Sequence, residues 1–362
     1  MSAAEKKIAM PNAQIPPVLR FALYGASFVI LVAGLRAAAP ILTPLALAVF
    51  VAAVNLPALG WLRRHGAPTW LAILLIVLFS GAILGFFAWI VLQSAAELRA
   101  ELPGYIARGQ QIEQSIRGRL LGWGIDIAPG YYWTLAEPLR LLDMVTVAAR
   151  NVTSLLVFFF LTLLYLVFIL AESVVLPRKV GLVLGPSANG VTGAAAALAQ
   201  VQRYLLLKTL ISVVTGAAVG TGAALLGVDF ALLWGLLAFL LNFIPSIGSI
   251  IAAVPPVLFA LLQLGLGRAI ALGAVYLGVN VLVGNFGDPV LIGRQLRLSP
   301  IIVLVSLVFW GWTWGLPGMF LAVPLTIALR IGLENTRSLG KYAALMGPVV
   351  AEPGGPRPPP PA

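Results

Sequence analysis

Long apolar runs separated by short polar turns set the pattern of this chain. After a polar start, Met1 to Arg20 with Lys6, Lys7 and Arg20, apolar runs cover about 21–35, 41–62, 69–93, 152–171 and 209–226. A helix needs about 20 apolar residues to cross the ~30 Å hydrocarbon core of a bilayer, so these runs predict membrane-spanning helices. The first run is followed at once by the second with no small-residue cleavage site, which reads as a retained signal anchor. Pro44 falls where the first turn of the second helix tolerates it. Segment 182–208, rich in Gly and Ala and ending in a polar stretch with Arg203 and Lys208, is expected along the membrane surface before the fifth span.

Residues 94–150 form the one long polar region. Leu98, Leu102 and Ile106, and later Leu135, Leu139 and Leu142, recur at helical spacing among charged residues. That spacing predicts amphipathic helices on the extracytoplasmic face.

Two later runs are interrupted. Phe230 to Leu262 would measure about 50 Å as one straight helix, against a bilayer core of about 30 Å. Within it Pro245, Pro255 and Pro256 lack an N–H and release the carbonyls of Leu241, Ile251 and Ala252, while Gly248 allows a bend. Ser306 to Leu329 has the same construction, with Gly315, Pro317, Gly318 and Pro324, and the tripeptide Ala-Val-Pro occurs in both runs. Unpaired backbone in a membrane is tolerated only against protein or a water-filled cavity, and paired broken segments in two halves of a chain point to a transport site. Read as full spans, the two runs give eight transmembrane helices and a cytoplasmic Arg268. Read as re-entrant hairpins, they give six and place Arg268 outside. Length and the distribution of arginines favour hairpins entering from opposite faces as an inverted repeat, with residues 245–248 and 314–317 meeting near the midplane.

Composition agrees: 60% of the 362 residues are hydrophobic and 10% charged, where soluble proteins have roughly 25% charged residues. The fold class is an all-α, polytopic integral membrane protein with six to eight transmembrane helices. The net charge of +11 is spread between apolar runs instead of clustering with aromatics, which excludes a nucleic-acid partner and makes the lipid bilayer the partner of the basic loops. The Arg63-Arg64-His65 turn places itself and the N-terminus in the cytoplasm; either span count brings the C-terminus back to the same side. There is no cysteine, and His65 is the one histidine, beside two arginines in a solvated turn. No zinc, Walker or nucleophile-elbow motif is present, so no metal, no cofactor and no enzymatic activity are expected.

The interrupted runs and the link between them resemble the autoinducer-2 exporter family of bacterial permeases. The resemblance rests on Asn-Phe-Ile-Pro with Gly248 over 242–248, on Pro289 to Pro300 with Gly293, Leu296 and Leu298, and on Gly315 to Pro324 with Gly318. It covers roughly residues 20–340. It implies a bacterial inner-membrane permease working as an elevator and as a homo-oligomer, a pentamer. The link reads Arg-Leu-Ser-Pro where the family often has a histidine before the last proline, so no role for that histidine carries over.

The chain then divides into a cytoplasmic start (1–19), three spans (20–93), the amphipathic region (94–150), a transport core (151–341) and a disordered Pro-rich tail (342–362). The expected activity is secondary transport of a small molecule by alternating access. A monovalent cation/proton antiporter and a non-transporting scaffold are the other readings. Candidate pathway residues are Asn242, Pro245, Ser246, Gly248, Pro255, Asn280, Asn285, Asp288, Gly315, Pro317, Gly318 and Pro324. Asp288, the one carboxylate between the two interrupted runs, is the first candidate for ion coupling.

Overall fold

A computed structural model describes residues 16–123, 152–184, 189–244, 248–283 and 299–334, and all regular structure among them is helical. Helices α1 (Pro17–Ala37) and α2 (Ala39–Arg64) are joined through the single residue Ala38. Pro40 takes the first turn of α2, and Pro44 lies inside the helix, one turn beyond its expected place. There its missing N–H faces Pro40, while the hydroxyl of the preceding Thr43 bonds back to the carbonyl of Ala39 at 2.7 Å.

α3 (Thr69–Gly122) runs for 54 residues without a break, so the expected boundary near residue 93 falls inside one helix. At 1.5 Å per residue it is about 80 Å long, far more than a bilayer core, and its second half must stand outside the membrane. Leu98 is buried there, as its helical spacing anticipates; residues 135, 139 and 142 lie outside the described residues. α4 (Val152–Leu184) packs with α2 and α3 through Ala48, Ala52, Leu59, Ala72, Leu166 and Leu170. α5 (Asn189–Leu225) is likewise continuous, so residues 189–208 of the segment expected along the surface join the fifth span as one helix.

The next elements are α6 (Ala231–Leu241) and α7 (Gly248–Leu264), the limbs of a hairpin. Phe259 on α7 meets Phe230 and Trp234 at the start of α6, with ring centroids 5.3 and 5.7 Å apart, which a straight helix forbids. α6 is only about 17 Å long and α7 about 25 Å, both short of a bilayer core. Gly265, at φ 86°, turns the chain into α8 (Leu266–Leu282). α9 (Pro300–Glu334) also doubles back. Gly315 has φ 67° and ψ −146°, outside the range of L side chains, and the Ser306 hydroxyl donates to the carbonyl of Ala322 at 3.0 Å and contacts the Thr326 hydroxyl. In a straight helix residues 306 and 322 would be about 24 Å apart. By length and composition five described helices could cross a membrane, but α9, one of the five, is folded in two.

Small residues seat the first hairpin on α5. A Cβ at Gly216 would lie 2.7 Å from the Gly235 carbonyl oxygen, and one at Gly235 would lie 2.8 Å from that of Gly216. Only glycine lets the two backbones approach so closely, which gives Gly216 and Gly235 a packing role.

Candidate functional site

Each hairpin is closed by a glycine with no room for a side chain. A Cβ on Gly248 would overlap the carbonyl oxygen of Leu241, and one on Gly318 would overlap that of Trp310. Gly248 and Gly318 thus share one packing duty: each lets the second limb lie on the last turn of the first. Gly315 makes the turn itself, and Pro317 follows it within the helix.

The two hairpins meet through aromatic side chains. Phe243, just past the end of α6, lies 4.4 Å from Phe320 by ring centroids, and both pack on Phe50 of α2 at 5.5 and 5.1 Å. Ile331, near the end of the second hairpin, shares an apolar cluster with Val201 and Tyr204 in the first half of α5. The open end of the first hairpin instead abuts the last turn of α5, where Arg268 donates to the Leu226 carbonyl at 2.8 Å. The hairpins therefore open toward opposite ends of α5.

The first hairpin is tied at its open end to the outer half of α3. The Tyr105 hydroxyl faces the carboxylates of Glu101 and Asp229 at 2.6 and 2.7 Å, and Arg108 reaches the Gln263 carbonyl at 3.4 Å. The backbone N–H of Asp229 donates to the Gln263 side chain at 3.0 Å, closing the mouth of the hairpin. Burial first, and then the hydrogen bonds to Glu101 and Asp229, push the Tyr105 hydroxyl well above the usual tyrosine range. It stays protonated at physiological pH.

Beside the tip of this hairpin, α5, α6, α7 and α8 enclose a crevice with room for about one water molecule. Its polar lining is Thr215, Asn242, Ser249, Tyr276 and Asn280, and none of its lining residues is ionised at neutral pH. Asn280 is exposed and Ser249 half-buried, whereas Asn242, Thr215 and Tyr276 are buried, so the crevice runs from Asn280 inward. Asn242 donates to the Ser212 hydroxyl at 3.0 Å, and Thr215 donates to the Ile211 carbonyl at 3.0 Å, leaving the threonine oxygen able to accept.

Of the residues expected at a pathway, Asn242 and Asn280 are brought together in this crevice. Gly248 and Gly318 lie at the hairpin tips as packing residues. Pro255 and Pro324 sit within limbs, half-buried and outside the crevice lining. Pro256, next to Pro255 in the same limb, deprives Ala252, a lining residue, of its helical partner. Pro245, Ser246, Asn285 and Asp288 lie outside the described residues. Tyr276 and Ser249 were not anticipated. The signal for Tyr276 is its place one helical turn before Asn280, which puts both polar groups on one face of an apolar helix.

The sequence is similar to known transport proteins along most of its length. The AI-2E family transporter model matches residues 26–338. The AI-2 transport protein TqsA of Escherichia coli (strain K12) is 35% identical over 319 residues, covering 88% of this chain and 92% of its own. YhhT of the same organism is 34% identical over 323 residues, covering 89% and 93%. YrrI of Bacillus subtilis (strain 168) is 26% identical over 306 residues, covering 80% and 85%. With these matches along nearly its whole length, the chain is a multi-pass membrane permease that belongs to the AI-2E family of transporters.

Proposed function

We propose that the chain is a secondary exporter of a small, uncharged, hydroxyl-bearing molecule, and that AI-2, after which the relative TqsA is named, is the first candidate substrate. The observation that carries this reading is the crevice at the tip of the first hairpin. It offers hydroxyl and amide groups and no ionised group, a lining suited to a neutral polyol and poorly suited to a bare cation, which calls for several oxygen ligands and a compensating charge. Alternating access would move the hairpins against the remaining helices, with the Phe243–Phe320 contact as the place where they slide or part. In this reading both termini lie in the cytoplasm of a bacterial cell, which the basic turn at Arg63 and Arg64 supports. A homo-oligomer, with five copies as the resemblance implies, would use outward apolar side chains such as Phe21, Phe28, Trp70 and Phe79.

The test is efflux of AI-2 from proteoliposomes holding the purified protein, with and without an imposed proton gradient. Protein-dependent efflux supports the reading. Cation/proton exchange with no movement of AI-2 or other neutral polyols would replace it with antiport. If a proton gradient drives the efflux, Asp288→Asn is expected to abolish the coupling while the protein still folds.

A further inference from the structure

Tyr276 is 6% exposed, and its hydroxyl has no hydrogen-bond partner among the described residues. A buried hydroxyl without a partner costs free energy, and replacing it by an apolar group of the same shape removes that cost. Phenylalanine would fill the same ring space without the penalty, yet the chain carries tyrosine where the ring borders the crevice.

We infer that the Tyr276 hydroxyl is a ligand-binding group, which holds one hydroxyl of a neutral polyol in the crevice beside the first hairpin. The inference rests on the exporter reading above and adds the residue that recognises the substrate. A phenol both donates and accepts, so it can pair with an alcohol of either orientation. Across the crevice the Thr215 oxygen can accept, and the Asn242 amide, held by Ser212, adds a further polar group to the floor. A space that admits about one water-sized group takes one hydroxyl, and the rest of the ligand must lie toward Ser249 and the exposed Asn280. Tyr276 is on α8, and the crevice is completed by α5 and the two hairpin limbs. A ligand hydroxyl bound there therefore bridges the hairpin to its neighbours, and movement of the hairpin would break or make that bridge.

The experiment compares the full-length wild type with Tyr276→Phe in detergent and in proteoliposomes. AI-2, glycerol and ribitol serve as probes, and the readouts are ligand-induced shifts of the unfolding midpoint and the KM and maximal rate of efflux. Without ligand, Tyr276→Phe is expected to unfold at or above the wild-type temperature, so misfolding does not enter. At least one probe is expected to raise the wild-type midpoint and to raise that of the variant less, and the KM for a transported probe is expected to rise about fivefold or more, the size of one neutral hydrogen bond. Equal shifts and equal KM in the two proteins would overturn the inference, because a phenol that is merely buried or hydrated changes stability alone. A probe that stabilises the wild type through Tyr276 but is not transported leaves this site standing and overturns the exporter reading instead. Transport unchanged by the variant does the reverse. If no probe shifts the wild type and none is transported, both fail.

Discussion

Phe243 and Phe320 lie with ring centroids 4.4 Å apart, a point at which the two hairpins touch. Phe243 follows the end of α6 and Phe320 follows the turn at Gly315, so the contact joins the tip regions and is backed by Phe50 of α2. An aromatic pair of this kind contributes about 0.5–1.5 kcal/mol beyond simple burial. Phe320→Ala and Phe243→Ala are each expected to slow transport at least several-fold in proteoliposomes. Their effects on the unfolding midpoint should be non-additive in the double variant. Additive effects would show that the rings act separately.

Gly248 and Gly318 allow no Cβ, since the atoms in the way are backbone carbonyls that cannot rotate aside. Gly248→Ala and Gly318→Ala should each lower stability by about 1–3 kcal/mol, as overpacking does, and reduce the yield of folded protein. Gly278 in α8 has open space around its Cβ position, so Gly278→Ala should cost nothing. Equal unfolding midpoints for all three variants would refute the packing role.

Much of this was legible in the sequence. The spans follow from run length, and the two hairpins follow from Pro/Gly breaks in runs too long for one crossing. Asn242 and Asn280 stand out because an amide in an apolar run needs a partner. Tyr276 does not stand out, because a tyrosine in such a run reads as an ordinary packing residue until its hydroxyl is seen to lack a partner. Nor could the sequence rank Pro255 against Pro256. The two differ in which carbonyl they release, and only the rotation of α7 places Ala252 at the crevice while Ile251 is exposed. The unbroken length of α3 was hidden by the change from apolar to charged residues near 94, a change of solvent and not of helix.

Tyr105 ties the outer half of α3 to the mouth of the first hairpin through Asp229. Its pKa is raised in the folded protein, so the tie is complete below the unfolded value of about 10 and is lost as pH rises toward the higher folded value. Stability is expected to be insensitive to this group between pH 6 and 9 and to fall above about pH 10. Tyr105→Phe should remove that alkaline component and lower stability by about 1–3 kcal/mol through loss of the hydrogen bond that the phenol donates to a carboxylate. An alkaline fall of the same size in the variant would place its origin elsewhere.

Topology separates hairpins from full spans at Gly267. α5 ends at Leu225, and a fold-back through α6 and α7 returns the chain to the same end, beside Tyr105 and Arg108 and a span of α3 away from His65. In this cysteine-free chain, Gly267→Cys should react in intact cells with an impermeant maleimide and His65→Cys should not. Labelling of both or of neither would count against the fold-back.

If substrate passes the crevice beside the first hairpin, Ser249, one of its lining residues, gives direct access to it. Ser249→Cys, the only thiol in the chain, is modified with a small maleimide in proteoliposomes, and AI-2 efflux is compared with the same variant before modification. Modification is expected to abolish efflux, and prior AI-2 to slow the modification. Complete modification with efflux unchanged would contradict passage through the crevice.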